Sequence, residues 1–296
     1  MAVKLAFQMI VFDSDYVLEP CIEALLPHGP LFVTEGPVRF WKEQGFATSS
    51  DRTNEILHSM LPNENIVHGQ WVEKDEMQNA VTRLIPEDTT HVWLVDSDEV
   101  WDTESILKVS EWLEAGVDSV AFSCRTFYGG FERCLTGFEE NFEVVRIQRW
   151  YPGATWKTHR PPTILDPSGV PWCKRKHIDH AESAKRGVRM EHYSYVFPSQ
   201  MAMKDAYYAN RGSSGRIADY MKRVYIPWVF GDAAEKARIE NEFDGVHDWL
   251  PARRGPCRTI PFAGNHPESI AKRMPELEAR FSRELTALKD LSKVSL

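Results

Sequence analysis

The sequence predicts an α/β fold: an open, mostly parallel sheet flanked by helices, with an α-rich C-terminal extension. Three observations carry this expectation. From Leu5 to Gly116, apolar runs alternate with helix-period segments, the signature of βαβ units and a parallel sheet covered on both faces. The 296 residues are 43% hydrophobic, enough for a large core, and at about 150 residues per domain they suggest two domains. After Gly116 the rhythm changes to paired strands and then to amphipathic stretches.

Taken in order, Leu5–Phe12 reads as a buried strand. It could pass for a short signal-peptide core. However, one Lys precedes it, no small-residue cleavage site follows, and Asp13 and Asp15 come at once. Tyr16–Leu26 places Val17, Leu18, Cys21, Ile22, Leu25 and Leu26 on one helical face, and Pro27 and Gly29 end it. Pro30–Glu35 is a second strand stopped by Gly36-Pro37. Asp51 is positioned to cap a helix through Ile56, Leu57 and Leu61 up to Pro62. Ile66–His68 is a third strand, Lys74–Leu84 a helix closed by Pro86, His91–Val95 a fourth strand, and Thr103–Glu114 a helix ended by Gly116. Ser119–Arg125 and Phe142–Arg149 look like paired strands around a loop holding Gly129-Gly130. The proline-rich Trp150–Pro171 stretch reads as irregular folded surface. Helices are expected over Gln200–Asn210, Ile217–Tyr225, Glu235–Phe243 and Glu268–Lys289.

Composition narrows the function classes. Lys plus Arg number 35 against 43 Asp plus Glu, a net charge of −8, which argues against nucleic acid as main partner. Cys21, Cys124, Cys134, Cys173 and Cys257 are an odd set with no Cys-x-x-Cys pair, so a zinc-finger reading fails. Buried, reduced thiols in a cytoplasmic protein are the simplest account. No apolar run approaches the roughly 18 residues of a transmembrane segment.

The most informative stretch is Val92-Trp93-Leu94-Val95-Asp96-Ser97-Asp98-Glu99-Val100-Trp101. In an open α/β sheet, ligands bind outside the carboxyl ends of the strands, where these acids emerge. Burying three adjacent carboxylates costs about several kcal/mol each unless a cation compensates. A hard divalent metal, Mn²⁺ or Mg²⁺, compensates them and can bridge to phosphate oxygens. The competing reading is a solvated turn, with Asp102 or Thr103 as N-cap of the next helix.

With these motifs in view, the sequence resembles the family-2-like glycosyltransferases of the GT-A fold, in which an Asp-x-Asp at this point binds a divalent metal and the diphosphate of a nucleotide-sugar. Leu31-Phe32-Val33-Thr34-Glu35-Gly36 looks like the family's second strand. Ser49-Ser50-Asp51-Arg52-Thr53 is similar to its Ser-x-Asp-x-Thr segment. Lys74-Asp75-Glu76-Met77-Gln78-Asn79 resembles the segment ahead of the metal strand. The resemblance covers about residues 4–150 and weakens through about 200. It implies that Glu35 contacts base or ribose, that Asp51 and Lys74 support the nucleotide site, that Asp96 faces ribose or a metal water, and that Asp98 ligates the metal. It implies a nucleotide-sugar-binding domain over 1–150 and an acceptor-side, helical region over 151–296. Glu35-Gly36 stands where many relatives have two aspartates, and Arg52 where glycine is common.

Downstream, His192 in Glu191-His192-Tyr193-Ser194-Tyr195-Val196 resembles the late histidine that completes the metal sphere in many GT-A enzymes. The other reading is a histidine satisfied by hydrogen bonds beneath two tyrosines. On a strand, His177 and Asp179 would share one face with His180 opposite. Trp156 and His159-Arg160 line either the acceptor site or the core. Glu191 and Glu182 are the candidate general bases for an inverting reaction. Arg39, Lys74, Arg146, Arg149, Lys157 and Arg160 are the bases available to a diphosphate. The aromatic residues Phe7, Phe12, Trp93 and Trp101 read as core. The leading reading is a metal-dependent glycosyltransferase moving a sugar from a nucleotide-sugar to a carbohydrate or other hydroxyl acceptor. The alternatives are a sugar-phosphate nucleotidyltransferase, or a non-catalytic carbohydrate-binding protein on the same fold. Against the former, Phe12-Asp13-Ser14-Asp15-Tyr16 stands where a Gly-rich phosphate loop would.

Overall fold

The computed structural model of the protein describes residues 2–171, 176–210 and 215–294, with side chains up to 290. The chain forms two compact units. One comprises Met1–Ser123, Glu143–Met190 and Pro267–Ser269; the other comprises Cys124–Phe142, Glu191–His266 and Ile270–Leu296.

In the first unit, the strands are β1 (Leu5–Val11), β2 (Leu31–Glu35), β3 (Ile66–His68), β4 (His91–Leu94), the two-residue β5 (Glu99–Val100), β6 (Ser119–Phe122), β9 (Val144–Arg149), β10 (Thr155–Thr158), β11 (Thr163–Leu165) and β12 (His177–Ile178). The second unit contributes β7 (Cys124–Tyr128), β8 (Arg133–Leu135), β13 (Met190–Tyr195) and β14 (Thr259–Pro261). Among the described residues, seven strands form one sheet in the order β12-β6-β9-β4-β1-β2-β3. The β1–β2, β1–β4, β2–β3 and β6–β12 pairs are parallel, and β9 runs antiparallel to both β4 and β6. The predicted open, mostly parallel α/β sheet is therefore present. The helices flanking it are α1 (Leu18–Leu25), α2 (Arg39–Glu43), α3 (Thr53–Met60), α4 (Lys74–Ala80), α5 (Thr103–Glu114) and α6 (His180–Lys185).

The period of two along the strands divides the core. Ala6, Phe32, Val92 and Leu94 face one side, where Val81, Ile85, Trp150 and Trp156 cover them. Phe7 and Trp93 face the other, in an aromatic stack with Trp101 and Phe122; Trp93 lies 4.7 Å from Trp101 and 5.7 Å from Phe122, ring centre to ring centre. The expectation that Phe7, Trp93 and Trp101 are core therefore holds, whereas Phe12 is only half-buried. Gln8 is fully buried in mid-strand. Its amide donates to the Gln78 carbonyl, and its Oε1 accepts from Trp156 Nε1 at 2.9 Å. Trp156 is thus a core residue whose one polar atom is spent on β1.

The predicted Ser119–Arg125 strand is broken at Ser123. Its first part pairs with β9, as expected, while β7 belongs to the second unit. In that unit β8 pairs antiparallel with β7 and β14. At three residues each, β8 and β14 are too short to show an alternation. The helices there are α7 (Pro198–Asn210), α8 (Ile226–Phe230), α9 (Ala233–Glu242) and α10 (Pro251–Arg254), and the last helix, α11, is Glu268–Val294. The helix expected over Ile217–Tyr225 is only a π-helical turn, Met221–Tyr225, leading into α8. Ile217 instead donates its N–H to the Asp248 carbonyl.

Cys21, Cys124, Cys134 and Cys257 are buried thiols in no disulfide, and Cys173 lies outside the described residues. Among the described residues no helix is long and apolar enough to cross a membrane.

Candidate active site

The carboxyl ends of β1, β2 and β4 lie side by side, because β1 pairs parallel with both neighbours. Two different groups of carboxylates stand there.

The first group ties the ends of β1, β2 and β3 to the segment leading into α3. Glu35, fully buried at the end of β2, accepts from the Ser49 backbone N–H at 2.7 Å and from Thr48 Oγ1 at 3.0 Å, and its Oε2 lies 2.9 Å from His68 Nδ1. Asp13 accepts from the Ser50 backbone N–H at 2.5 Å. Asp51 accepts from the backbone N–H of Asp15 at 3.0 Å and of Thr53 at 2.9 Å, which starts α3. Burial pushes the Asp51 carboxyl upward, and these hydrogen bonds oppose the push. Glycine is required at Gly36: its φ is +134°, and a Cβ there would sit 1.9 Å from the Gly69 carbonyl oxygen. The Glu35 carboxylate is thus spent on the chain itself, as is that of Asp51, and what each does here is shape the loop.

The second group is the acidic triplet. Past the end of β4 the chain turns tightly, with Glu99 N–H donating to the Asp96 carbonyl at 3.0 Å and Asp96 N–H to Glu99 Oε2 at 3.3 Å. The next turn is a cap: Asp102, not Thr103, is the N-cap of α5 and accepts from Ser105 N–H at 2.7 Å. Because Ile147 of β9 stands opposite Trp93, Arg146 falls alongside the emerging acids. Its Nη2 donates to Asp96 Oδ2 at 2.6 Å and also to Glu99 Oε1. Arg146 is 6% exposed and Glu99 fully buried, so both charges are out of water. Arg160 Nη2 lies 3.8 Å from the same Asp96 oxygen.

One guanidinium cannot neutralise both the half-buried Asp96 and the fully buried Glu99, and the two acids divide accordingly. Burial opposes ionisation of Asp96, but Arg146 above all, with Arg160, more than offsets it and holds the carboxyl well below the usual range. Burial, helped by Asp96 and Asp98 and against the pull of Arg146, pushes Glu99 up. His159 is held neutral: burial first, then the nearby Lys74, lowers its ring to about 2. Arg146 Nε and both His159 ring nitrogens have no hydrogen-bond partner among the described residues. Lys74, the first residue of α4, acts on His159 because α4 packs on β10, where the Asn79 side chain bonds the Trp156 backbone at 2.8 Å in both directions. Asp98 is partly exposed.

Of the residues expected around a metal, the structure brings Asp96 and Asp98 into one turn but gives Asp96 to arginine. His192 belongs to the second unit, where its Nδ1 lies 3.1 Å from Thr126 Oγ1. Among the described residues no group of three or more His, Cys, Asp and Glu is arranged to hold a metal ion. The residues as they stand do not fit a divalent cation. Seating one between Asp96 and Glu99 would strip Arg146 of its partners, and an uncompensated buried charge costs about 3–5 kcal/mol.

The remaining candidates are placed as follows. Glu191, 7% exposed, pairs with Arg125 at 2.6 Å in the second unit. Glu182 is a surface acid paired with Arg186 at 2.8 Å. His177 and His180 are not on opposite faces. The strand ends at Ile178, Asp179 caps α6, and both histidines approach Glu143, at 3.9 and 3.1 Å. Sequence reasoning singled out Arg146 only as one of six bases, and nothing local marks it as the partner of acids about fifty positions earlier.

No protein-family model matches the chain, and no curated protein matches it. Solved structures similar to it include S. aureus TarS 1-349, at 12% identity and TM-score 0.36, over 83% of this chain and 72% of that one. Another is the 4-diphosphocytidyl-2C-methyl-D-erythritol synthase of Anaerococcus prevotii, at 8% identity and TM-score 0.29, over 82% of this chain and 83% of that one. Both are remote likenesses.

Proposed function

We propose that the protein is a glycosyltransferase that moves a sugar from a nucleotide-sugar donor to a hydroxyl acceptor, with the donor at the carboxyl edge of the β1–β2–β4 sheet. The observation that carries this is the acidic turn that emerges at the end of β4, at the same sheet edge as the loop tied to Glu35 and Asp51. That edge is where open α/β sheets bind ligands. In the reaction the bond from the anomeric carbon to the diphosphate oxygen breaks, and its electron pair passes to the diphosphate. The acceptor oxygen forms the new bond, and its proton leaves to solvent. Asp98, partly exposed, is the acid we assign to the donor, and Asp96 with Arg146 fixes the turn that presents it. We assign no general base. The buried thiols, in no disulfide, support a reducing, cytoplasmic setting.

A thermal-shift screen of nucleotide-sugars against nucleoside triphosphates tests the reading. A ligand at about a hundred times its Kd stabilises the fold by about 2.7 kcal/mol, a readily measured rise in Tm. We expect a nucleotide-sugar or its nucleoside diphosphate to give the larger shift, and Asp98→Ala to abolish it. A larger shift with a triphosphate would favour the nucleotidyltransferase reading, and no shift with either class would leave the non-catalytic one.

A further inference from the structure

The second unit presents a cation that the fold positions without pairing it to an acid. Arg254 ends α10 and is exposed; its guanidinium carbon stands 5.2 Å from the ring centre of Phe138 and 5.0 Å from that of Trp249. Among the described residues these rings are its only side-chain partners, with no hydrogen bond or ion pair. Residues 1, 172–175, 211–214 and 291–296, whose side chains are not described, include no Asp or Glu. Stacking takes up a face of a guanidinium, whereas its five N–H donors lie in the plane and point outward from the edge. The rings thus order the fork before any ligand arrives. They are fixed in turn. Phe138 N–H donates to the Pro256 carbonyl at 3.0 Å, and the preceding Gly137 has a φ of +69°, where a Cβ would sit 2.2 Å from that same oxygen. Trp249 N–H donates to His247 Nδ1 at 3.2 Å, and Leu250 N–H to the Gly215 carbonyl at 2.7 Å. Beside Phe138, at 5.3 Å ring to ring, lies Phe142, which is 38% exposed.

We propose that Arg254, steadied by Phe138 and Trp249 and flanked by the exposed Phe142 ring, binds a carbohydrate that carries a phosphate or carboxylate group. Both anions offer two oxygens on one atom, which a planar guanidinium edge takes with two parallel hydrogen bonds. The C–H face of the sugar covers the aromatic ring beside it, the usual division between apolar lining and a few placed polar groups. Charge agrees: Lys and Arg outnumber Asp and Glu in the second unit, while acids predominate in the first, so an anion is repelled by the first and not by the second. Glu140 and Glu143 flank Phe142 in sequence, which favours a single anionic group over a broad anionic surface such as a lipid headgroup layer. The site lies within the second unit and stands apart from the donor; that its ligand is the acceptor rests on the transferase reading.

Ligand-observed NMR titration of the full chain with glucose 6-phosphate, glucuronate, glucose and inorganic phosphate tests it. The variants are Arg254→Ala and, as a control on surface charge, Arg223→Ala, a second exposed arginine of the same unit that stands 5.1 Å over Phe243. Both positions are exposed, and circular dichroism should show both variants folded. We expect at least one acidic sugar to bind about tenfold more tightly than glucose or inorganic phosphate, with Arg254→Ala removing that advantage and Arg223→Ala keeping it. Binding of one acidic sugar alone supports the proposal and names its anion. Glucose binding equally well would remove the anion from recognition, and inorganic phosphate binding equally well would remove the sugar; either overturns the proposal. So does an equal loss in both variants, which reduces the effect to surface charge. Failure of both acidic sugars overturns it as well, in favour of a lipid surface if phosphatidylserine vesicles then bind through Arg254. The nucleotide-sugar screen is a separate measurement, so either reading can fail without the other.

Discussion

Two groups of carboxylates sit at the same edge of the same sheet and are satisfied by different means. Glu35, Asp13 and Asp51 are held mainly by backbone N–H groups and hydroxyls, with the His68 ring also on Glu35, and most of these bonds fix the chain between Thr48 and Thr53. Asp96 and Glu99 are held by a buried guanidinium that fixes almost no backbone besides their own turn. Dipoles shape a loop at little cost in net charge. A cation balances charge, and its removal leaves anions stranded in a low dielectric. The first arrangement is therefore forgiving and the second is not.

Breaking the second group should have the largest effect. Arg146→Met removes the counter-charge while keeping most of the apolar stem, and should lower unfolding free energy by about 3–5 kcal/mol in urea denaturation. A loss no greater than that from disrupting the first group would erase the distinction. A third site, at the amino end of β4, is governed first by burial, against the opposing hydrogen bond of its ring to the Val117 carbonyl. His91 is 1% exposed, and burial lowers its ring from 6.5 to about 4. The unfolded chain takes up this proton below about pH 6.5 and the folded chain only below about pH 4. Stability from this group is thus complete above 6.5 and drains away as pH falls to 4, by roughly 3 kcal/mol at about 1.4 kcal/mol per unit. The difference between wild-type and His91→Gln unfolding curves across that range should have this slope, and parallel curves would discredit it. Smallest is Glu35→Ala, which strands the Ser49 N–H and should cost about 2 kcal/mol, with the Thr48–Thr53 amides exchanging faster with solvent. Unchanged exchange there would mean that the loop is held by something else.

The parts that could be read from the sequence are those whose cause is local. β1 to β4 were legible because each is a mostly apolar run closed by a nearby Gly or acid, and α1, α3 and α5 because their apolar faces recur at the helical period. The acids after β4 were legible because three carboxylates directly after Val92–Val95 are costly without a reason. What compensates them was not, since Arg146 arrives by the antiparallel insertion of β9 between β4 and β6, a pairing across about fifty residues. Trp156 failed as a sugar platform for the same reason. Its partner, Gln8, is 148 positions away. The short β8 and β14, and the π-helical turn before α8, leave too few residues for any period to register.

The position of β9 has a consequence for biosynthesis. The strand is interior to the first sheet, yet it is made only after the excursion through Cys124–Phe142 into the other unit. A nascent chain released from the ribosome as far as Ser123 holds β4 and β6 with nothing between them, two open edges of Val, Trp and Phe. The sheet closes only when translation has delivered Val144–Arg149, and the same six residues bring the arginine that quiets the acids. Until then the emerging polypeptide is both sticky and electrostatically unbalanced, and that interval is when a holdase chaperone would matter most.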